Sequence, residues 1–569
     1  MSASTLIVVS LFLFILGYKY YSKFIEKKVY NLKYNEKTPA HMLRDDVDYM
    51  PTKKHILFGH HFTSIAGAAP IVGPCIAAYW GWLPALLWVV LGTIFIGAVH
   101  DFGALAISLK EKGRSIADVA SSIVGEKATI MFLLFVMMLT WLVLAVFSMV
   151  ISGLFVNQPS SVLPINIEIL IALIIGYLIY KKNKSTTVLS IIALIFLYLF
   201  IYLGTLYPIS FETFGFSKAY SIKIWIILLF IYSGIASLLP VWTLLQPRDY
   251  INSHQLIVGL ALIFIAIGIT NPSIDAEMIR TSSDHSAPPM FPFLFVTIAC
   301  GAVSGFHGLV SSGTTSKQVN KMEDARLIGY GGMLGEGTLA LAATICAVAG
   351  ISLVGSCNLP SQGFVENLNW GTYYESWTHA TQNKAAAFVL GGGAFIQQLG
   401  VESTIATTIV AVLIISFAAT TLDSATRIQR LIISEIGSRT KINYLKNRYI
   451  ATILAIIPAI LLCFISITDT SGNSKQMAWI LWPIFGASNQ MLAALSLLTL
   501  TMYFWMKKEN IIPLIIPFFI VLTIAFSSLV IKCIDFYKSN NYLLLIIDLI
   551  MISMILWMSY EAIKKIIKK

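Results

Sequence analysis

Runs of about twenty mostly apolar residues, the length an α-helix needs to cross the hydrocarbon core of a bilayer, recur from Thr5 almost to the last residue. Hydrocarbon cannot hydrogen-bond a bare peptide group, so each run has to satisfy its own backbone and form a helix. The chain therefore reads as all-α, a polytopic membrane protein of about 15 transmembrane helices. The spans fall at roughly 4–22, 58–79, 82–109, 128–156, 165–181, 187–207, 222–245, 253–270, 291–312, 328–355, 402–425, 449–468, 477–504, 511–532 and 543–562. Only 12% of the 569 positions are charged, where a soluble chain carries about a quarter, and the spans leave no room for a large soluble domain.

A net charge of +11 would suit a nucleic-acid partner if the basic residues shared one folded surface. They sit instead in short loops between apolar runs, the pattern of a membrane protein that keeps lysine and arginine on its cytoplasmic side, so no nucleic acid is expected. Placing loop 23–57 in the cytoplasm puts most of the 39 lysines and arginines there, including Lys110 to Arg114, Lys181 to Lys184, Lys317 to Arg326, Arg427 to Arg448 and Lys564 to Lys569. The amino terminus is then outside and the carboxyl terminus inside. No basic residue precedes the apolar run Thr5 to Leu16, so it reads as a span and not as a cleaved signal peptide. The six cysteines show no CxxC spacing and read as inert small hydrophobes. Stretch 385–400 is too short and glycine-rich to span and reads as a re-entrant or surface helix on the outer side. Loop 356–384, long for a bundle connection, suits an element such as a lid.

Glycine and proline within spans free backbone groups that lipid cannot satisfy, so dense clusters of them mark helices broken beside a cavity. The second span carries such a cluster at Gly59 to Pro74, and the seventh carries one at Ser233 to Pro240. The charge count gives these two spans opposite directions, five spans apart, as an inverted repeat of five plus five helices requires. At about 1.5 Å per residue, Gly67 and Ser233 lie roughly 12–18 Å along their spans, near the bilayer midplane. Ser64, Ala66, Gly67, Ala68, Ser233, Gly234 and Ser237 are therefore the candidate substrate-binding residues. The competing reading is that these small residues only let helices approach closely.

The ninth span supplies polar side chains at Ser304, His307, Ser311, Ser312 and Thr315. With His60 and His61 of the second span they are the candidates for ion or proton coupling, because histidine titrates near neutrality and polar groups within a membrane usually carry function. His60 and His61 point about 100° apart on a helix, so at most one is expected to face a shared cavity. Asp101 and Asp423 lie near the inner edge, where pairing with Arg427 or a lysine would be structural. His100, Glu336, Asn489 and Gln490 complete the polar groups within spans.

The segments GHHFTSIAGAAPIVGP at 59–74, LPVWTLLQPRDYIN at 239–252, SGFHGLVSSGTTSKQ at 304–318 and WPIFGASNQMLAALSL at 482–497 resemble the carbon starvation protein A family, named for bacterial proteins induced on nutrient depletion. The resemblance implies a secondary transporter of the bacterial inner membrane, related to the leucine-transporter fold with extra helices. It implies import of peptides or pyruvate by proton symport and alternating access. In that fold the third helix of the second repeat offers hydroxyls to a cation, the role the ninth span would fill. The corresponding organisation is a first span and basic loop at 1–57, a transporter core at 58–426 with repeats at about 58–207 and 222–426, and additional spans at 427–569, the family's five-span region beginning near 385. The residues alone leave open pyruvate, peptide or amino acid as solute, and proton or sodium as the driving ion. No cofactor is implied, and an enzyme is disfavoured because HExxH, GxSxG and GxxxxGK are all absent. A membrane metalloenzyme and a passive channel are the alternatives.

Overall fold

The computed structural model describes residues 2–281, 284, 287–359, 362–383, 385–468 and 474–567. In chain order the helices used below are α1 (Ala3–Tyr30), α2 (Lys54–Ile65), α3 (Ala69–Ala77), α4 (Trp82–Lys110), α5 (Glu126–Asn157), α6 (Val162–Tyr180), α7 (Thr186–Leu206), α8 (Lys218–Leu238) and α9 (Leu245–Thr270). They continue as α10 (Met290–Thr297), α11 (Ala299–Ala302), α12 (Gly305–Gly313), α13 (Met322–Leu353), α14 (Ala386–Gln397), α15 (Ser403–Thr440), α16 (Arg448–Phe464), α17 (Met477–Met506), α18 (Ile512–Lys538) and α19 (Tyr542–Ile567).

Among the described residues 12 helices are long and apolar enough to cross a membrane, or 13 with the bent pair α2 and α3 taken as one. The remaining two expected spans have other forms. Region 291–312 is divided into α10, α11 and α12, and region 449–468 holds the 17-residue α16. Stretch 385–400 forms the 12-residue α14.

At 38 residues, roughly 57 Å, α15 is the central post of the bundle. It packs on α2, α5, α8, α9, α14 and α16 and is buried through most of its length, which its Ala, Thr and Ser content permits by letting neighbours approach closely. Glu402 starts it by accepting the N–H groups of Thr404 and Ile405.

Contacts sort the connections into two ends. At the basic end Val241 N–H donates to Val47 O (3.2 Å), Met50 N–H to Lys317 O (3.1 Å) and Ser115 Oγ to Glu435 (3.0 Å). At the opposite end Ala3 N–H donates to Pro272 O (3.0 Å), Trp82 N–H to Glu277 O (3.1 Å) and Arg280 to Tyr374 O (2.7 Å). The described residues of loop 356–384 lie at this second end, with β1 (Cys357–Leu359) paired antiparallel to β2 (Gly363–Val365) and two short helices, fastened by Tyr374 Oη to Cys75 O at 2.5 Å.

One expected interruption is present and the other is elsewhere. The second span breaks at 66–68, between α2 and α3, with a bend of 46°. The seventh does not break at 233–237: α8 runs continuously to Leu238, and the chain turns only at 239–244. The Ser233 and Ser237 hydroxyls donate to the carbonyls of Phe230 and Gly234 in their own helix. Gly234 faces α16, where an added Cβ would stand 2.7 Å from Ile456 Cδ1, so close packing accounts for this cluster of small residues. The second interruption is in the ninth span, where Val303 and Ser304 are extended between α11 and α12. Without a break in the seventh span, the observation that set a repeat boundary near 222 is gone.

Candidate functional site

The two interrupted spans lie side by side and antiparallel. α2 contacts α12 towards the basic end, and α3 contacts α10 and α11 towards the opposite end. At the first break a three-residue turn closes with Gly67 N–H donating to Ile65 O at 2.9 Å. Thr421 of α15 donates to Ser64 O at 3.3 Å, and the Ser64 and Ser424 hydroxyls are 3.0 Å apart. A Cβ on Gly67 would come within 2.7 Å of Thr421 Oγ1 and 2.8 Å of Phe147, so only glycine fits against α15 and α5.

At the second break a side chain replaces the missing helical partner. Asn489 of α17 accepts the Phe306 N–H at 3.1 Å, accepts the Ser304 hydroxyl at 3.1 Å and lies 3.3 Å from Cys300 Sγ. Leaving such a buried group unsatisfied costs about 1–3 kcal/mol, so Asn489 fixes where α12 begins.

Three residues beyond the break, His307 enters a fully buried acidic cluster. His307 Nδ1 donates to Asp101 Oδ2 (3.0 Å) and His100 Nδ1 to Asp101 Oδ1 (2.8 Å). His307 Nδ1 also lies 3.3 Å from Glu336 Oε2, but its hydrogen bond goes to Asp101 and both Glu336 oxygens are left without one. Among the described residues His100 Nε2 finds no hydrogen-bond partner either, nor does the buried Ser311 hydroxyl one helical turn from His307. Three helices, α4, α12 and α13, thus each contribute a group that can take or release a proton.

A second ionic cluster lies on the other side of α2. His60 Nε2 accepts the Gln318 amide at 3.3 Å, which leaves its proton on Nδ1 to be donated to Asp249 at 2.5 Å. Asp249 also accepts from Arg248 (3.0 Å), and Arg248 reaches both Asp423 and Tyr232. Asp423 accepts the Tyr232 hydroxyl at 2.8 Å. The expected partners of the two aspartates are therefore corrected: Asp423 pairs with Arg248 and not with Arg427, and Asp101 pairs with two histidines and not with a lysine.

Of the remaining candidates, His61 Nδ1 meets Thr315 Oγ1 at 2.9 Å, so His61 faces the turn at the end of α12 while His60 faces α9. Ser312 accepts the Ile116 N–H at 3.0 Å and donates to Gly308 O at 2.6 Å, a structural pair of bonds. Arg248, Asp249, Tyr232 and the bracing role of Asn489 were not legible beforehand. Their signal was a charged or polar side chain beside or within an apolar run, which names the residue but not its partner.

Clefts approach from both ends without meeting. One of ≈ 610 Å³ at the basic end reaches Leu309, Gly313 and Ile428. One of ≈ 540 Å³ at the opposite end reaches Gly73, Thr297 and Cys300. Residues 64–68 and 303–308 line neither, so a barrier one break thick separates the two. At the basic end Asp48 pairs with Arg427 (2.6 Å) and Arg430 (3.4 Å). Burial pushes the Asp48 carboxyl up, but Arg427, Arg430 and Lys317 outweigh it and hold it below the usual carboxylate range.

A family model described as carbon starvation protein CstA matches residues 2–528. The peptide transporter CstA of Helicobacter pylori (strain ATCC 700392 / 26695) is 32% identical, over 95% of this chain and 83% of its own length. The pyruvate/proton symporter BtsT of Escherichia coli (strain K12) is also 32% identical, over 87% of this chain and 76% of its own. Among solved structures, a manganese transporter from Eremococcus coleocola aligns with a TM-score of 0.48 at 14% identity, covering 92% of this chain and 98% of that one.

Proposed function

The chain belongs to the carbon starvation CstA family of multi-pass membrane transporters, and on that premise we propose that it imports pyruvate or short peptides together with protons across a bacterial inner membrane, its basic end facing the cytoplasm. The observation that carries this reading is the position of His307, three residues past a helix break and between Asp101 and Glu336. An uncompensated buried charge costs several kcal/mol, so the proton count of this cluster and the seating of α12 against α4 and α13 depend on each other. A proton that reaches His307 or Glu336 from the outer cleft changes which seating is favoured. Movement of α12 then releases it towards the basic end.

The backbone at 64–68 and at 303–306 holds the solute between the two clefts, with Ser64, Ala66, Gly67 and Ala68 from the first break and Ser304 from the second. His61, through Thr315, ties α2 to the turn that follows the moving α12, and the Ser311 hydroxyl accepts a hydrogen bond from His307 as α12 moves. Sodium as the driving ion and a passive channel are the outcomes that one experiment separates from this reading. Purified protein in liposomes should accumulate labelled pyruvate or dialanine above the outside concentration when an inward proton gradient is imposed. His307→Ala should abolish accumulation while membrane insertion and solute exchange persist. Accumulation driven by sodium alone, or equilibration without accumulation, would overturn proton symport.

A further inference from the structure

The last two helices, α18 and α19, carry no motif, yet α18 places a lysine in the cleft that leads to the second break. Lys532 is six residues inside the end of α18, about 9 Å from it, deeper than an end residue that merely reaches for water. Its ammonium stands 4.8 Å from the centroid of Phe293, on the outer segment of the interrupted ninth span. The cleft has Lys532 as its one cation and Asp535 as its one anion among the described lining residues, and its inner end reaches Cys300, which donates to Ser304 at 3.5 Å. Its ≈ 540 Å³ admits a solute of pyruvate to dipeptide size.

Asp535 neutralises the lysine only loosely. Their charged atoms are 3.7 Å apart, and the Asp535 side chain is 52% exposed against 21% for Lys532. Asp548 of α19 also acts electrostatically on the lysine. An ammonium has three donors, and a carboxylate entering the cleft competes with a water-exposed aspartate for them. Gly73 and Gly486 hold the neighbouring walls close to Thr297 and Val296, so the cation is presented from a packed surface.

We propose that Lys532 is the entry-side recognition residue for the solute's carboxylate, so that α18 gives the transporter its preference for monocarboxylates and free peptide carboxyl termini. The inference rests on the reading of the chain as a carboxylate importer. Its ordinary alternative is a lysine that only pairs with Asp535 to anchor α18.

The test compares Lys532→Gln, Lys532→Arg and Asp535→Asn with the wild type in proteoliposomes, using pyruvate, dialanine and dialanine amide. Binding of the same three probes is followed in detergent by the fluorescence of the cleft tryptophans. Lys532→Gln should raise KM and Kd for pyruvate and dialanine about tenfold with kcat within twofold, and leave the amide unchanged. Lys532→Arg should recover most of the loss, and Asp535→Asn should lower KM about two- to threefold. Unchanged carboxylate KM and Kd in Lys532→Gln, or equal losses for the amide, overturn the proposal while the importer reading stands. A wild type that neither binds nor moves either carboxylate overturns both.

Discussion

His60 and His61 share a peptide bond yet belong to different ionic systems. His60 donates to Asp249 at 2.5 Å, and His61 meets Thr315 at 2.9 Å in the turn that follows the helix carrying His307. The 100° step of an α-helix turns one residue towards α9 and the next towards α12. One short stretch of α2 thereby connects the two polar clusters that flank the first break.

The pair should separate stability from coupling. His60→Ala removes a buried hydrogen bond to a carboxylate, worth about 1.5–3 kcal/mol, although Arg248 still pairs with Asp249. It should lower the thermal midpoint in detergent by several degrees. His61→Ala removes one hydrogen bond, worth about 1 kcal/mol, and should instead shift the pH profile of uptake. Equal midpoints for the two variants would contradict this division.

Asp101→Asn keeps the shape of the cluster but removes the negative charge that two histidines share. Accumulation driven by a proton gradient should fall at least tenfold, while exchange of labelled for unlabelled solute at equal pH continues. A variant that still concentrates solute as the wild type does would exclude Asp101 from coupling.

Asn489 is predicted to be structural to the second break. Asn489→Leu leaves the Phe306 N–H and the Ser304 hydroxyl without their acceptor, a loss of about 1–3 kcal/mol for each buried group. Uptake should be lost with a lowered thermal midpoint, and Asn489→Asp, which retains an acceptor, should recover part of both. Wild-type stability in Asn489→Leu would mean that the backbone finds another partner.

Asp48 gives a pH dependence with a definite sign. Its carboxyl is held below the ordinary value of 3.8 in the folded protein, so the folded state binds fewer protons there than the unfolded chain. The stabilisation is complete above the unfolded value and is lost as pH falls through the folded one. The midpoint difference between wild type and Asp48→Asn should therefore be constant from pH 7 to about 5 and shrink below about 4. A difference that also varies between pH 6 and 8 would assign the effect to another group.

The sequence by itself determined the solvent of this protein, the course of its spans and the sorting of its loops between two ends, because apolar run length and lysine placement are local properties. It also located the break at 66–68, where glycine and proline stand together beside Ser64. The same composition at 233–240 misled, since small residues serve close packing as readily as interruption, and Gly234 against Ile456 is packing. The break at 303–304 carries little local signal. It exists because Asn489, nearly two hundred residues later, accepts the Phe306 N–H that a continuous helix would have used. The partners of the buried charges belong to the same category. Asp423 looks to Arg427 along the chain and finds Arg248 across the bundle, because in a low-dielectric interior the nearest compensating charge is chosen by how the helices pack and not by their order.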